Sequence, residues 1–258
     1  MENSWIEINN YKLEIKRIKA KKVGGPTLVF LHEGLGCVSM WRDFPDRLAE
    51  KTGLVALIYS RLGYGGSDQV PLPRQLDYMH VEGIDILPAL LQAEQVGRVI
   101  LVGHSDGGSI SLIYAGSKFA LELDALIMIA PHVFVEKVCI ESIKKVQREY
   151  LFGDLRKRLE RYHKENVDRV FWGWSNIWVS PSFQEWNIEE YLPFICAPTL
   201  VVQGENDQFG TMSQINSIIE KIKLEVNCEV VKNCSHSPHI ESQDEVIHVL
   251  SGFINKLL

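Results

Sequence analysis

Short apolar runs recur along the chain with helix-patterned stretches between them, the pattern of a parallel sheet wrapped by helices. The runs that read as strands are Thr27–His32, Leu54–Ser60, Arg98–Gly103, Ala125–Ala130, Pro198–Gln203 and Val226–Lys232. Val99 to Val102 is continuously aliphatic, as a strand buried on both faces of a sheet must be. Helices are predicted at about Trp41–Lys51, Asp77–Gln95, Gly107–Ser117, Ser213–Ile222 and Asp244–Leu258. The opening MENSWIEINNYKLEIKR alternates apolar and polar residues and breaks at Asn9-Asn10, which predicts a hairpin. The expected fold class is therefore α/β, with a mostly parallel, doubly wound sheet.

One stretch breaks the alternation. From about Val133 to Tyr191 there is no strand-like run, only charged helical pattern and a concentration of aromatics: Phe171, Trp172, Trp174, Trp178, Phe183 and Trp186. Some sixty residues are too many for a structureless loop inside a compact domain, so this stretch is expected to fold as a helical lid over the sheet edge. The domain division that follows is a core of residues 1–132 and 192–258 with a helical insertion at 133–191.

Composition narrows the partners. A net charge of −6 argues against binding phosphate backbones by bulk electrostatics, so nucleic acid is not an expected partner. The basic clusters Lys16-Arg17-Ile18-Lys19-Ala20-Lys21-Lys22 and Arg156-Lys157-Arg158 read as solvated faces. No apolar run approaches the roughly 18 residues a membrane span needs, and neither a signal peptide nor a membrane partner is expected. Five cysteines at 37, 139, 196, 228 and 234 lack any CxxC pair or zinc-ligand spacing, which fits a reduced cytoplasm. The number of subunits is not legible.

Ligands of open α/β sheets bind beyond the carboxyl ends of the strands, so the loops there carry the candidate chemistry. After Gly103 comes Ser105, after Gln203 comes Gly204-Glu205-Asn206-Asp207, and after Lys232 comes Asn233-Cys234-Ser235-His236. A serine, an acid and a histidine on one rim are the inventory of a nucleophile, an orienting carboxylate and a general base. The serine stands in Gly103-His104-Ser105-Asp106-Gly107, where flanking glycines let a strand reverse sharply into a helix. That turn puts the Asp106 amide at a helix amino terminus beside Ser105, as one donor to an oxyanion. A second donor is expected from the loop His32-Glu33-Gly34-Leu35-Gly36. The reaction needs neither metal nor organic cofactor.

These features together resemble the α/β-hydrolase family: the G-x-S-x-G elbow, the order serine, acid, histidine, and a glycine-rich loop after an early strand. Ser60-Arg61-Leu62-Gly63-Tyr64-Gly65-Gly66-Ser67 is similar to the family's R-G-x-G-x-S turn, and the insertion sits where the family places its cap. The resemblance implies that His236 rather than His239 is catalytic. Asp207 is preferred over Glu205 and over the alternative position after the sixth strand, where Ala130-Pro131-His132 offers no carboxylate before Glu136. His32 and His104 are expected to pack at strand ends, and Cys234 to be structural. Trp172, Trp174, Trp178 and Trp186 are candidates for pocket walls.

Glu33 departs from the family, which often has glycine there. The second oxyanion amide is assigned to Gly34, whose missing side chain lets substrate approach, and the Glu33 carboxylate is expected to turn away toward Arg61. The competing expectation is that Glu33 faces the pocket. The function expected is a serine hydrolase acting by acyl transfer on a small, partly apolar ester, thioester or related carbonyl compound. The alternatives are a carbon–carbon bond hydrolase of the same fold and a slow-turnover small-molecule receptor.

Overall fold

The computed structural model of the chain describes residues 4–20, 24–120 and 123–258; Met1 to Asn3 of the predicted hairpin, and Lys21-Lys22 of the first basic cluster, lie outside them. Its strands are β1 (Ser4–Ile8), β2 (Tyr11–Ile18), β3 (Thr27–Leu31), β4 (Val55–Tyr59), β5 (Val99–His104), β6 (Leu123–Ile129), β7 (Thr199–Gly204) and β8 (Val226–Val231). They form one sheet in the order β1-β2-β4-β3-β5-β6-β7-β8. The first two pairings, β1 with β2 and β2 with β4, are antiparallel, and the rest are parallel. The hairpin turns on Asn9 and Asn10 at φ 52° and 67°. Asparagine tolerates that left-handed conformation, which a tight hairpin requires at both central positions.

Between the strands stand α1 (Phe44–Thr52), α2 (Tyr78–Val81), α3 (Leu87–Ala93) and α4 (Asp106–Ala115). Then come α5 (Lys137–Phe152), α6 (Leu155–His163), α7 (Val167–Trp178), α8 (Met212–Lys221), α9 (Pro238–Glu241) and α10 (Gln243–Leu257). Each predicted apolar run is a strand to within two residues at either end. Proline shortens one predicted helix and stands inside another, which is continuous from 78 to 93. Pro45 cannot sit inside a helix begun at Trp41, so Val38–Trp41 is a 3-10 turn and α1 starts at Phe44. Pro88 stands at the start of α3, and a π-helical turn at Glu82–Ile86 joins α3 to α2.

Strand alternation sends side chains to two cores. Leu28 and Phe30 of β3, with Ile100 and Val102 of β5, face α1 and α10. Val29, Leu31, Val99 and Leu101 face α2, α3, α4 and α8. Both faces are covered, and each fully buried aliphatic side chain contributes roughly 2 kcal/mol. β4 lies on one side of β3 and β5 on the other, so the winding reverses at β3. A crevice therefore opens beyond the carboxyl ends of β3 and β5.

Residues 133–191 hold α5, α6, α7, two 3-10 turns and the start of a third, Glu189–Phe194, and their only strand-like pairing among the described residues is the isolated bridge of Phe134 with Asn187. No helix among the described residues is long and apolar enough to cross a membrane.

Candidate active site

β5 delivers the chain to Ser105 in a left-handed conformation, φ 54° and ψ −119°. For a serine this costs of order 1–3 kcal/mol and persists only where neighbours impose it. Here the Ser105 amide donates to the Ile129 carbonyl at 2.9 Å, and its own carbonyl accepts from Ser109 at 3.0 Å, starting α4. The flanking glycines have definite reasons. A Cβ on Gly103 would strike the Gly107 carbonyl, and one on Gly107 would strike the Leu31 carbonyl at the end of β3. Without side chains there, strand, helix and neighbouring strand close up and raise Ser105 over the rim.

The acid and histidine loops are joined to each other. Gly204 lies where a Cβ would strike the Ser235 carbonyl, the Asn206 amide donates to Cys234 at 2.8 Å, and the Glu205 carboxylate accepts from the Asn233 amide at 3.0 Å. Glu205 is thereby occupied away from the histidine. His236 Nε2 lies 2.9 Å from Ser105 Oγ, and its Nδ1 lies 2.8 Å from Asp207 Oδ2. Asp207 also accepts from the amides of Phe209 at 2.8 Å and Gly210 at 3.3 Å, and from Gln203 Nε2 at 2.9 Å. Burial alone would push its carboxyl up; His236 and these donors outweigh that and hold it below the usual range. A carboxylate so held keeps Nδ1 protonated and leaves Nε2 free to take the serine proton.

His239 does not reach the serine. It is buried behind, with its ring centroid 5.1 Å from that of Trp41 and 5.4 Å from that of Phe44. His132, after β6, packs against Trp178 and is pushed down to about 3 by burial and by nearby His236, so it is neutral. Cys234 is buried with its Sγ 3.1 Å from Ser242 Oγ.

The loop after β3 is fixed by His32. The Arg61 amide donates to His32 Nε2 at 2.9 Å, so Nδ1 must carry the ring proton, which it donates to the Glu33 carbonyl at 2.7 Å. Arg61 Nη2 donates to the same carbonyl at 2.9 Å. That carbonyl belongs to the peptide whose N–H is Gly34, so two donors grip one end of the peptide and orient the other.

Two expectations need correction here. Arg61 is not the partner of the Glu33 carboxylate: it is fully buried, lies over the Tyr64 ring at 4.7 Å, and its Nη2 is 3.4 Å from Asp106 Oδ2. Asp106, bound also by Tyr78 Oη at 2.8 Å, is the stronger claim on a buried cation. The Glu33 carboxylate instead lines the cavity, a quarter exposed, with Oε2 3.6 Å from His104 Nδ1. Partial burial pushes it up, but His104 outweighs this and keeps it well below the usual carboxylate range. His104 in turn donates from Nε2 to the His236 carbonyl at 2.9 Å, steadying the histidine loop. The second correction concerns Gly34. The space a Cβ would fill there is occupied by the Trp174 indole, so the missing side chain admits a tryptophan rather than leaving an open approach.

Ser105 and His236 lie in a cavity of about 540 Å³. Its floor includes Glu33, Gly34, Asp106 and His132, and its other walls are mainly Cys139, Ile143 and Val146 of α5, Leu155 and Leu159 of α6, and Trp174 and Trp178 of α7. Trp174 and Trp178 stand four residues apart on one face of α7. Trp172 does not line this cavity, because the helix turns it toward Tyr150 and Phe171. Trp186 does not either; it stacks on Phe183 behind Trp178.

A family model described as the alpha/beta hydrolase family matches residues 28–249. A proline iminopeptidase of Thermoplasma volcanium is 25% identical, over 99% of this chain and 97% of its own. An esterase from Exiguobacterium antarcticum superposes with a TM-score of 0.78 at 20% identity, covering 98% of this chain and 100% of its own. A meta-cleavage product hydrolase from Pseudomonas fluorescens IP01 has the same TM-score at 17% identity, covering 99% and 98%.

Proposed function

The chain belongs to the alpha/beta hydrolase family, and from that premise we propose that it is a serine hydrolase acting by acyl transfer on small, partly apolar esters or thioesters. The observation that carries this is the unbroken line from Ser105 Oγ through His236 to Asp207 at the floor of an apolar cavity. Ser105 Oγ attacks the carbonyl carbon as its proton passes to His236 Nε2, and Asp207 stabilises the imidazolium. The oxyanion accepts from the amides of Gly34 and Asp106; the Asp106 amide lies in the first turn of α4, where no intrahelical acceptor exists. Collapse expels the alcohol or thiol, which takes the proton back from His236, and water repeats the cycle on the acyl-enzyme.

In this reading residues 133–191 form the cap and set the pocket, while the core supplies the chemistry. The wild type should acquire the mass of one organophosphoryl group from a fluorophosphonate, read by intact-mass spectrometry, and Ser105→Ala should acquire none. Labelling that persists unchanged in Ser105→Ala would remove the nucleophile from the scheme. Ile143 belongs to the cap wall, so Ile143→Ala is expected to raise KM for a medium-chain ester about tenfold, more than it lowers kcat. Steady-state kinetics on acetyl and octanoyl esters check this; equal losses on both would contradict the division of labour.

A second reading, carbon–carbon bond hydrolysis, draws support from Glu33. Such a substrate's enol hydroxyl must give up its proton as it ketonises, and Glu33, held as a carboxylate, is a further acceptor on the cavity wall beside Ser105 and His236. Turnover of a dienone acid in preference to esters, in a screen over both, would favour it.

A further inference from the structure

The end of α5, where the chain turns into α6, carries the most exposed large apolar side chain among the described residues, Phe152 at 87%, beside Leu151 at 58%. Along α5, Phe152 continues a stripe through Arg148 and Lys145, and Leu151 one through Arg148 and Lys144, at spacings that share a helix face. Past the turn, α6 presents Lys157 and Arg161 to solvent. These five cations form no ion pair among the described residues, whereas Arg156 is held by Asp168 and Arg158 faces Glu149.

Between 137 and 164 nine lysines and arginines meet four acidic residues, in a chain whose net charge is −6. Within 137–164 the positive charge is thus gathered on α5, α6 and the projection of side chains from them, in an otherwise acidic molecule. That projection stands at the mouth of the cavity, whose exposed lining residues include Glu149 and Arg158.

We propose that the α5–α6 turn docks on an anionic lipid surface, Phe152 and Leu151 entering the acyl region and the five cations meeting the headgroups. An apolar tip ringed by basic residues is the arrangement that binds such interfaces. Their exposure favours a fluid surface over a folded partner, because the apolar residues stand uncovered at the end of α5. A second copy of the chain is disfavoured because like cations would face one another. Such docking departs from the expectation that Arg156-Lys157-Arg158 belongs to a merely solvated face and that no membrane is a partner.

Sedimentation of the full chain with lipid vesicles tests this independently of the hydrolase reading. Vesicles of equal parts phosphatidylglycerol and phosphatidylcholine should carry the protein down and pure phosphatidylcholine should not. Salt near 1 M, where the Debye length is about 3 Å, should release it. Phe152→Ser and the double variant Lys144→Glu/Lys145→Glu should each weaken binding about tenfold or more, with thermal melts and turnover of a water-soluble ester unchanged. No binding to the anionic vesicles, equal binding to both kinds, or binding that both variants leave intact would overturn the proposal. Retention on an acidic protein without vesicle binding would overturn it as well.

Discussion

Alanine at Ser105 or His236 is expected to lower kcat on any ester the wild type hydrolyses by a factor on the order of 10⁴ or more, and Asp207→Asn by on the order of 10³. The three groups form one line of hydrogen bonds at 2.9 and 2.8 Å, so they act as a unit. The double variant Ser105→Ala/His236→Ala should accordingly be little worse than either single one. Asp207→Asn removes the charge that stabilises the imidazolium and the acceptor that fixes the tautomer. His239→Ala should lose stability but keep most of its kcat, since its ring packs on Trp41 and Phe44 and makes no contact with Ser105. Steady-state kinetics beside thermal melts separate these effects. If His239→Ala lost as much kcat as His236→Ala while remaining folded, the base would have been misassigned.

Below about pH 6 the folded state should lose stability steeply. His32, His132 and His239 are all buried and held neutral, His132 down to about 3 and the other two well below the ordinary imidazole value, in each case chiefly by burial. For His32 the bond geometry gives the same answer, because Nε2 must accept from the Arg61 amide and has no room for a proton. In the unfolded chain each imidazole titrates near 6.5. The unfolded state therefore binds protons that the folded state refuses, and the stabilisation complete above 6.5 drains away as pH falls toward the folded values. Each histidine contributes a slope of about 1.4 kcal/mol per pH unit, and three give about 4. Against a total of about 5–15 kcal/mol, cooperative unfolding should fall between about pH 5 and 3. Urea titrations at stepped pH measure it, and His132→Gln should reduce the slope by about a third. A stability unchanged from pH 7 to 5 would refute the account.

Much of this was legible before the fold. The elbow was readable because an aliphatic run feeding Gly-x-Ser-x-Gly and then a helical pattern is a local constraint, and the collisions at Gly103 and Gly107 are its physical content. That a serine, an acid and a histidine meet followed from the rule that loops at the carboxyl ends of parallel strands share a rim, while the choice of His236 over His239 rested on the family resemblance. The helix start at Phe44 was also within reach, since Pro45 announces it. The orientation of Glu33 was not readable. It depends on where His104 and Arg61 stand, and Arg61 is drawn to Asp106 by a charge 45 positions away in sequence. The choice among the tryptophans was only half hidden: spacing places Trp174 and Trp178 on one face of α7 and Trp172 off it, but which face meets the cavity is decided by tertiary packing.

Ser105 and His236 meet across 131 positions of sequence, and the histidine follows β8, the edge strand and last strand of the sheet. During synthesis the elbow and its strained serine can form long before that strand emerges, and contacts of such separation are the slow ones to close. In the proposed mechanism a nascent chain short of β8 would hold a nucleophile without a base, and the molecule would stay chemically silent until its sheet is finished. On that reading hydrolysis, once it begins, would report the completion of the fold and not its progress.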